Sequence, residues 1–208
     1  MRVVCISDTH LRHKFDVPPG DVLIHAGDAT IVGSEQEFQR FFDWFGKLPH
    51  PHKVLIAGNH DWLFEKLPED ARALIPPGIT YLQDELATVN GLKIYGSPWQ
   101  PEFMGWAFNL PRGWPMKKKW ELIPAGIDIL VTHGPPLGFL DFSPFGTENA
   151  GCADLRNELL RVKPKLHVFG HIHHGYGQTE WNGIKLVNAS ICDEAYRPSN
   201  KPIVLELP

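Results

Sequence analysis

Five times along this chain, a short apolar run ends in a cluster of Asp, Asn or His. Val3-Val4-Cys5-Ile6 leads to Asp8-Thr9-His10, Val22-Leu23-Ile24 to Gly27-Asp28, and Val54-Leu55-Ile56-Ala57 to Gly58-Asn59-His60-Asp61. Later, Ile127-Asp128-Ile129-Leu130-Val131 leads to Thr132-His133-Gly134, and Leu166-His167-Val168-Phe169 to Gly170-His171-Ile172-His173. Apolar runs this short read as strands. In a sheet covered by helices, residues just past the carboxyl ends of neighbouring strands converge on one rim. Such a chain gathers carboxylates, an amide and imidazoles from distant positions into one pocket.

The intervening segments fill in the architecture. Ser34-Glu35-Gln36-Glu37 has the form of a capping box and opens a helix running to about Leu48. Phe38, Phe41, Phe42 and Phe45 recur on it at helical spacing, which predicts a core-facing stripe. From Ile79 onward short strands take over. Asn90-Gly91 predicts a hairpin between Ala87–Val89 and Leu92–Tyr95, and Asn182-Gly183 one between Thr179–Trp181 and Ile184–Val187. A second long helix is expected over about Ala150–Val162, ending at Pro164, and a last strand over Pro202–Leu207. The fold class is therefore α/β, with two mixed sheets packed as a sandwich and helices outside. One domain is expected over residues 1–208, with an aromatic-rich, irregular insert at about 97–124. Trp99 and Trp106 belong to that insert, which reads either as a packed surface flap or as a substrate-facing lid.

Composition excludes several classes. The apolar run before Asp8 is too short for a secretory leader, and no stretch approaches the roughly 18 apolar residues of a membrane span. Cys5, Cys152 and Cys192 are scattered and lack CxxC spacing, so reduced cysteines and a cytoplasmic location are expected. A net charge of −4 gives no reason to expect nucleic-acid or membrane binding. The basic run Lys117-Lys118-Lys119 reads as a solvated helix face.

A mixed Asp, Asn and His set without thiolate suits a catalytic rather than a structural metal site. In Asp8-x-His10 and His171-x-His173 the i, i+2 spacing puts both side chains on one side of an extended segment. Two cations about 3.5–4 Å apart need a shared carboxylate, and Asp28, preceded by Gly27, is the candidate.

Taken together and in this order, Asp8-x-His10, Gly27-Asp28, Gly58-Asn59-His60-Asp61, His133 and Gly170-His171-x-His173 resemble the calcineurin-like metallophosphoesterases. Leu23-Ile24-His25-Ala26-Gly27-Asp28, Thr132-His133-Gly134-Pro135-Pro136 and Asn188-Ala189-Ser190 are closer still to the small metallophosphoesterase-domain proteins. The resemblance implies one cation held by Asp8, His10, Asp28 and His173, and another held by Asp28, Asn59, His133 and His171. Manganese is the first expectation for both, with iron, zinc, nickel or cobalt as alternatives. The resemblance also implies that His60 contacts the phosphoryl group, with Asp61 as its orienting partner. Cleavage would proceed by in-line attack of a metal-activated hydroxide. His174 is read as lining the pocket or facing solvent, His25 as a buried supporting group, and Asn188 as support for the rim.

The expected activity is hydrolysis of small phosphodiesters or cyclic nucleotides. The alternatives are a phosphomonoesterase, a nuclease or a catalytically weak scaffold. Oligomeric state is left open.

Overall fold

The computed structural model describes residues 1–144 and 149–208. In chain order the first elements are β1 (Arg2–Ile6), β2 (Val22–Ala26), α1 (Glu35–Phe45), β3 (His52–Ile56), α2 (Trp62–Lys66), α3 (Pro68–Ala73) and β4 (Ile79–Tyr81). They are followed by β5 (Glu85–Val89), β6 (Leu92–Ser97), β7 (Gln100–Pro101), β8 (Asn109–Leu110), α4 (Trp114–Trp120) and β9 (Ile129–Thr132). The chain closes with α5 (Ala153–Val162), β10 (Leu166–Phe169), β11 (Gly177–Trp181), β12 (Ile184–Asn188) and β13 (Ile203–Glu206).

Two mixed sheets result, ordered β13-β1-β2-β3-β4 and β11-β12-β10-β9-β6-β5. Their central strands run parallel, and antiparallel partners sit at the edges. Period-2 alternation sorts the side chains into layers. Val3, Cys5, Ile24 and Ile56 face Ile129, Val131, Val168 and Val187 between the sheets. The alternate residues Val4, Ile6, Leu23 and Leu55 pack outward on the phenylalanines of α1. On the far side Leu130, Phe169 and Leu186 pack on Met116 and Trp120 of α4 and on Leu155 and Leu159 of α5.

Helix α1 forms as the sequence dictates. Ser34 accepts the N–H of Glu37 while the Glu37 carboxylate accepts the N–H of Ser34, both at 3.3 Å. Its four phenylalanines are buried, each stabilising by about 1.5–3 kcal/mol.

The 97–124 segment departs from the expectation of irregularity. It carries the short β7–β8 ladder and helix α4, where Met116 and Trp120 stand one turn apart on the core face. Only two apolar anchors mark that helix, too few to stand out in the sequence. Nor is the lysine run wholly solvated: Lys119 reaches Asp84 at 2.7 Å and lies 4.4 Å over the Trp99 ring. Among the described residues, no helix is long and apolar enough to cross a membrane.

Candidate metal centre

The parallel strands β1, β2, β3, β9 and β10 end at one rim, and the clusters after β1, β2 and β10 turn there under strain. Asp8, His10, Asp28 and His171 all hold positive φ, at 52, 42, 56 and 67°. Non-glycine residues avoid this region unless the surroundings over-determine it. Here they do: Asp8 N–H donates to Gly27 at 2.9 Å, and His10 N–H to Asp28 at 3.1 Å. Gly58 and Gly170 permit the close approach, because a Cβ on either would overlap the carboxylates of Asp28 and Asp8 respectively.

Four imidazoles are aimed in the same way. Nδ1 pairs with a backbone carbonyl in each: His10 with Thr30 at 2.9 Å, His60 with Ile31 at 2.6 Å, His133 with Ala26 at 2.9 Å, and His173 with Asp193 at 3.0 Å. Such a bond fixes ring orientation and leaves Nε2 facing the centre. The Oδ2 atom of Asp28 lies where three of them converge, 3.4 Å from His133, 3.8 Å from His10 and 3.9 Å from His60. Nε2 of His173 stands 3.4 Å from Asp8 Oδ1, and Nε2 of His133 stands 2.9 Å from Asn59 Oδ1.

Among the described residues, Asp8, His10 and His173 form one group able to hold a cation, and Asp28, His133 and His171 another. His10, Asp28 and His60 make a third, overlapping group, and within each the donor atoms lie within 4.8 Å of one another. The donor set fits a pair of divalent cations. Nε2 of His10 is buried without a hydrogen-bond partner among the described residues, and a buried imidazole nitrogen left so is costly unless a cation takes it.

Supporting residues hold these groups from behind. Asp8 accepts the Ser190 hydroxyl at 2.9 Å, and Asn188 Oδ1 accepts the Ser190 N–H at 3.2 Å, so Asn188 does support the rim. Two buried histidines occupy matching places in the two sheets. His25 pairs with the Thr9 hydroxyl at 2.9 Å, and His167 with the Thr132 hydroxyl at 2.8 Å. Each threonine adjoins a candidate ligand. Burial pushes both imidazoles down to about 3, so they stay neutral.

Asp61 differs from the expectation. Its buried carboxylate accepts from the N–H groups of Ala29, Thr30 and Gly58 and from the Thr30 hydroxyl at 2.7 Å. It ties two rim loops together, while the Ile31 carbonyl orients His60. Backbone carbonyls leave no mark in a sequence motif, which is why the neighbouring carboxylate was the apparent partner.

Electrostatics follow from burial among opposite charges. Burial opposes ionisation of Asp8, but the hydrogen bond and charge of His173 outweigh it and hold the carboxyl well below its usual range. Asp28 is held low in the same way, with burial overcome chiefly by the charges of His133 and His60. Burial likewise opposes charge on His133 and His173, yet Asp28 and Asp8 raise each to about 9. His10 and His171 are driven mainly by burial, to about 4 and about 3.

A cavity of about 570 Å³ opens over this centre, with Asp28, Asn59, His60, His171 and His173 in its wall and Phe103, Met104 and Trp106 at its lip. Trp106 packs on His60 with ring centroids 4.3 Å apart. Trp99 does not line the cavity. Its indole N–H donates to Asp84 at 3.0 Å and its ring meets Phe108, so it packs the insert onto the body. His174 lies outside the lining as well, with Nδ1 on Glu194 at 2.5 Å. Tyr196 lines the cavity without any sequence signal; its place depends on a turn with φ of 56°.

A family model described as calcineurin-like phosphoesterase matches residues 1–175. The chain is a calcineurin-like phosphoesterase. Metallophosphoesterase domain-containing protein 1 of Homo sapiens is 49% identical to this phosphoesterase over 232 positions, covering 100% of this chain and 71% of its own. The protein of the same name from Mus musculus matches to the same extent, 49% over 232 positions. Among solved structures, the phosphopantetheinyl hydrolase PptH from Mycobacterium tuberculosis superposes with a TM-score of 0.63 at 16% identity, covering 91% of this chain and 88% of its own. That likeness concerns the fold. Family membership makes the chain a metal-dependent phosphoester hydrolase, and the acid–imidazole groups are its candidate cation ligands.

Proposed function

We propose that this phosphoesterase is a dinuclear phosphodiesterase acting on small phosphodiesters, cyclic nucleotides among them. The observation that carries the reading is the pair of ligand groups Asp8–His10–His173 and Asp28–His133–His171, joined by Asp28 at the convergence of the imidazoles. Asp8, His10, Asp28 and His173 would hold one cation, and Asp28, Asn59, His133 and His171 the other. When bound, the cations supply Lewis acidity and bring the pKa of water towards 7.

The chain's own groups do the rest. Asp28, shared by the two ligand sets, would offset the mutual repulsion of the two cations with its negative charge. His60, its Nδ1 tied to the Ile31 carbonyl, turns Nε2 to the phosphoryl group and donates to a phosphoryl or leaving oxygen when protonated. Asp61 acts only as a scaffold for the loops that carry Asp28 and His60.

A phosphodiester carries a second organic substituent, and the apolar lip of Phe103, Met104 and Trp106 offers it a surface. Trp106 contributes stacking for a base or aryl group. Manganese is the first cation to test, since carboxylate and amide oxygens suit it, while the imidazoles also suit iron, zinc or nickel. The three unpaired, buried cysteines fit a reducing cytoplasm.

Rates on an aryl phosphodiester and an aryl phosphomonoester, measured with added Mn²⁺, test the reading. Preference for the diester is expected; strong preference for the monoester would make the protein a phosphatase instead.

A further inference from the structure

Tyr196 occupies the left-handed backbone region at φ 56°, which a bulky aromatic residue rarely adopts. The turn that holds it there is built around Asp193. The Tyr196 N–H donates to the Asp193 carbonyl at 2.8 Å. The Asp193 carboxylate accepts the N–H groups of Ala195 at 2.9 Å and Arg197 at 3.0 Å, and Nε of Arg197 at 2.8 Å. Nε of Arg12 donates to the Tyr196 carbonyl at 3.2 Å. The same Asp193 carbonyl also orients His173 through Nδ1. One carbonyl therefore locks the position of Tyr196 to that of a candidate metal ligand.

The strain does not bring full burial. The Tyr196 residue stays 37% exposed and lines the cavity. Its ring stands nearly upright on three imidazoles: centroid distances are 4.7 Å to His10, 5.8 Å to His173 and 6.1 Å to His60, with interplanar angles of 77, 88 and 72°. Those three rings turn Nε2 to Asp8 and Asp28, the carboxylates of the candidate cation centre at the cavity floor. The phenol hydroxyl makes no hydrogen bond to the described residues, and partial burial and the nearby Asp28 and Asp8 carboxylates hold its pKa above the ordinary value, so it is a donor at neutral pH.

We propose that Tyr196 contacts the substrate directly, its hydroxyl donating to a non-bridging oxygen of the phosphoryl group. This rests on the phosphoesterase reading above and adds to it a neutral, strain-positioned donor on the side of His10 and His173. A donor aimed at an anionic oxygen strengthens as charge grows there.

Tyr196→Phe, which keeps the ring, tests the contact. In the Mn²⁺-loaded protein, affinity for inorganic phosphate is measured by calorimetry, metal content by elemental analysis, and kcat and KM on an aryl phosphodiester. The expected result is phosphate affinity and kcat/KM each lowered about tenfold or more, with metal content unchanged. Phosphate affinity within threefold of wild type, no phosphate binding by wild type, or loss of metal from the variant overturns the proposal. The phosphate measurement does not depend on turnover. If wild type cleaves no diester yet Tyr196→Phe weakens phosphate binding, the diesterase reading fails while the contact stands.

Discussion

Nε2 of His133 lies 2.9 Å from Oδ1 of Asn59 and 3.4 Å from Oδ2 of Asp28, while its Nδ1 is held by the Ala26 carbonyl. With both ring nitrogens facing acceptors, the metal-free protein favours a doubly protonated ring. Any cation that takes Nε2 must displace that proton.

The consequence is proton release on metal loading. His133 and His173 are raised to about 9 from an ordinary 6.5. The stabilisation from their ion pairs with Asp28 and Asp8 is fully present below 6.5 and disappears as pH rises through about 9. Metal competes with the same protons, so Mn²⁺ affinity should climb between pH 6.5 and 9. Calorimetric titrations across that range, in buffers of differing ionisation enthalpy, measure both effects. A pH-independent affinity would contradict the assignment.

Replacing His60 with Ala should lower kcat by about 10²–10⁴-fold while both cations remain bound. Because His60 shares a potential ligand group with His10 and Asp28, metal content decides its role. Loss of one cation equivalent would make His60 a ligand, not a phosphoryl contact.

Asp61→Ala is expected to act on stability first. It removes one buried acceptor from four donors on Ala29, Thr30 and Gly58. A loss of about 3 kcal/mol in a urea melt is expected, since each donor left buried and unpaired costs about 1–3 kcal/mol. Unchanged stability would show that water replaces the carboxylate.

His25→Phe keeps the edge contacts with Phe41 and Phe45 but strips the Thr9 hydroxyl of its partner. Thr9 lies between Asp8 and His10, so Mn²⁺ affinity should fall by about 10–100-fold. Equilibrium dialysis measures it, and wild-type affinity would reduce His25 to a packing residue.

The layered fold was legible because burial is written in periodicity. The shortness of runs such as Val3 to Ile6 and Val22 to Ile24 marks covered strands, and the helical spacing of the α1 phenylalanines marks an inward stripe. Of helix α4 the sequence shows only the helix face of Lys117-Lys118-Lys119, because two anchors, Met116 and Trp120, do not make a periodic signal among so many other aromatics.

The sequence by itself determined which residues meet at the rim, since parallel strand order brings every segment following a strand to the same edge. Asp8, His10, Asp28, Asn59, His60, His133, His171 and His173 are gathered on that account. Only the tertiary structure decided how they are aimed. Carbonyls of Ala26, Thr30, Ile31 and Asp193 turn the imidazoles, Asp61 braces the loops instead of His60, Trp99 faces the interior, and Tyr196 enters the cavity. Every residue carries the same carbonyl, so the partner of an imidazole nitrogen depends on backbone position alone, which no residue type announces.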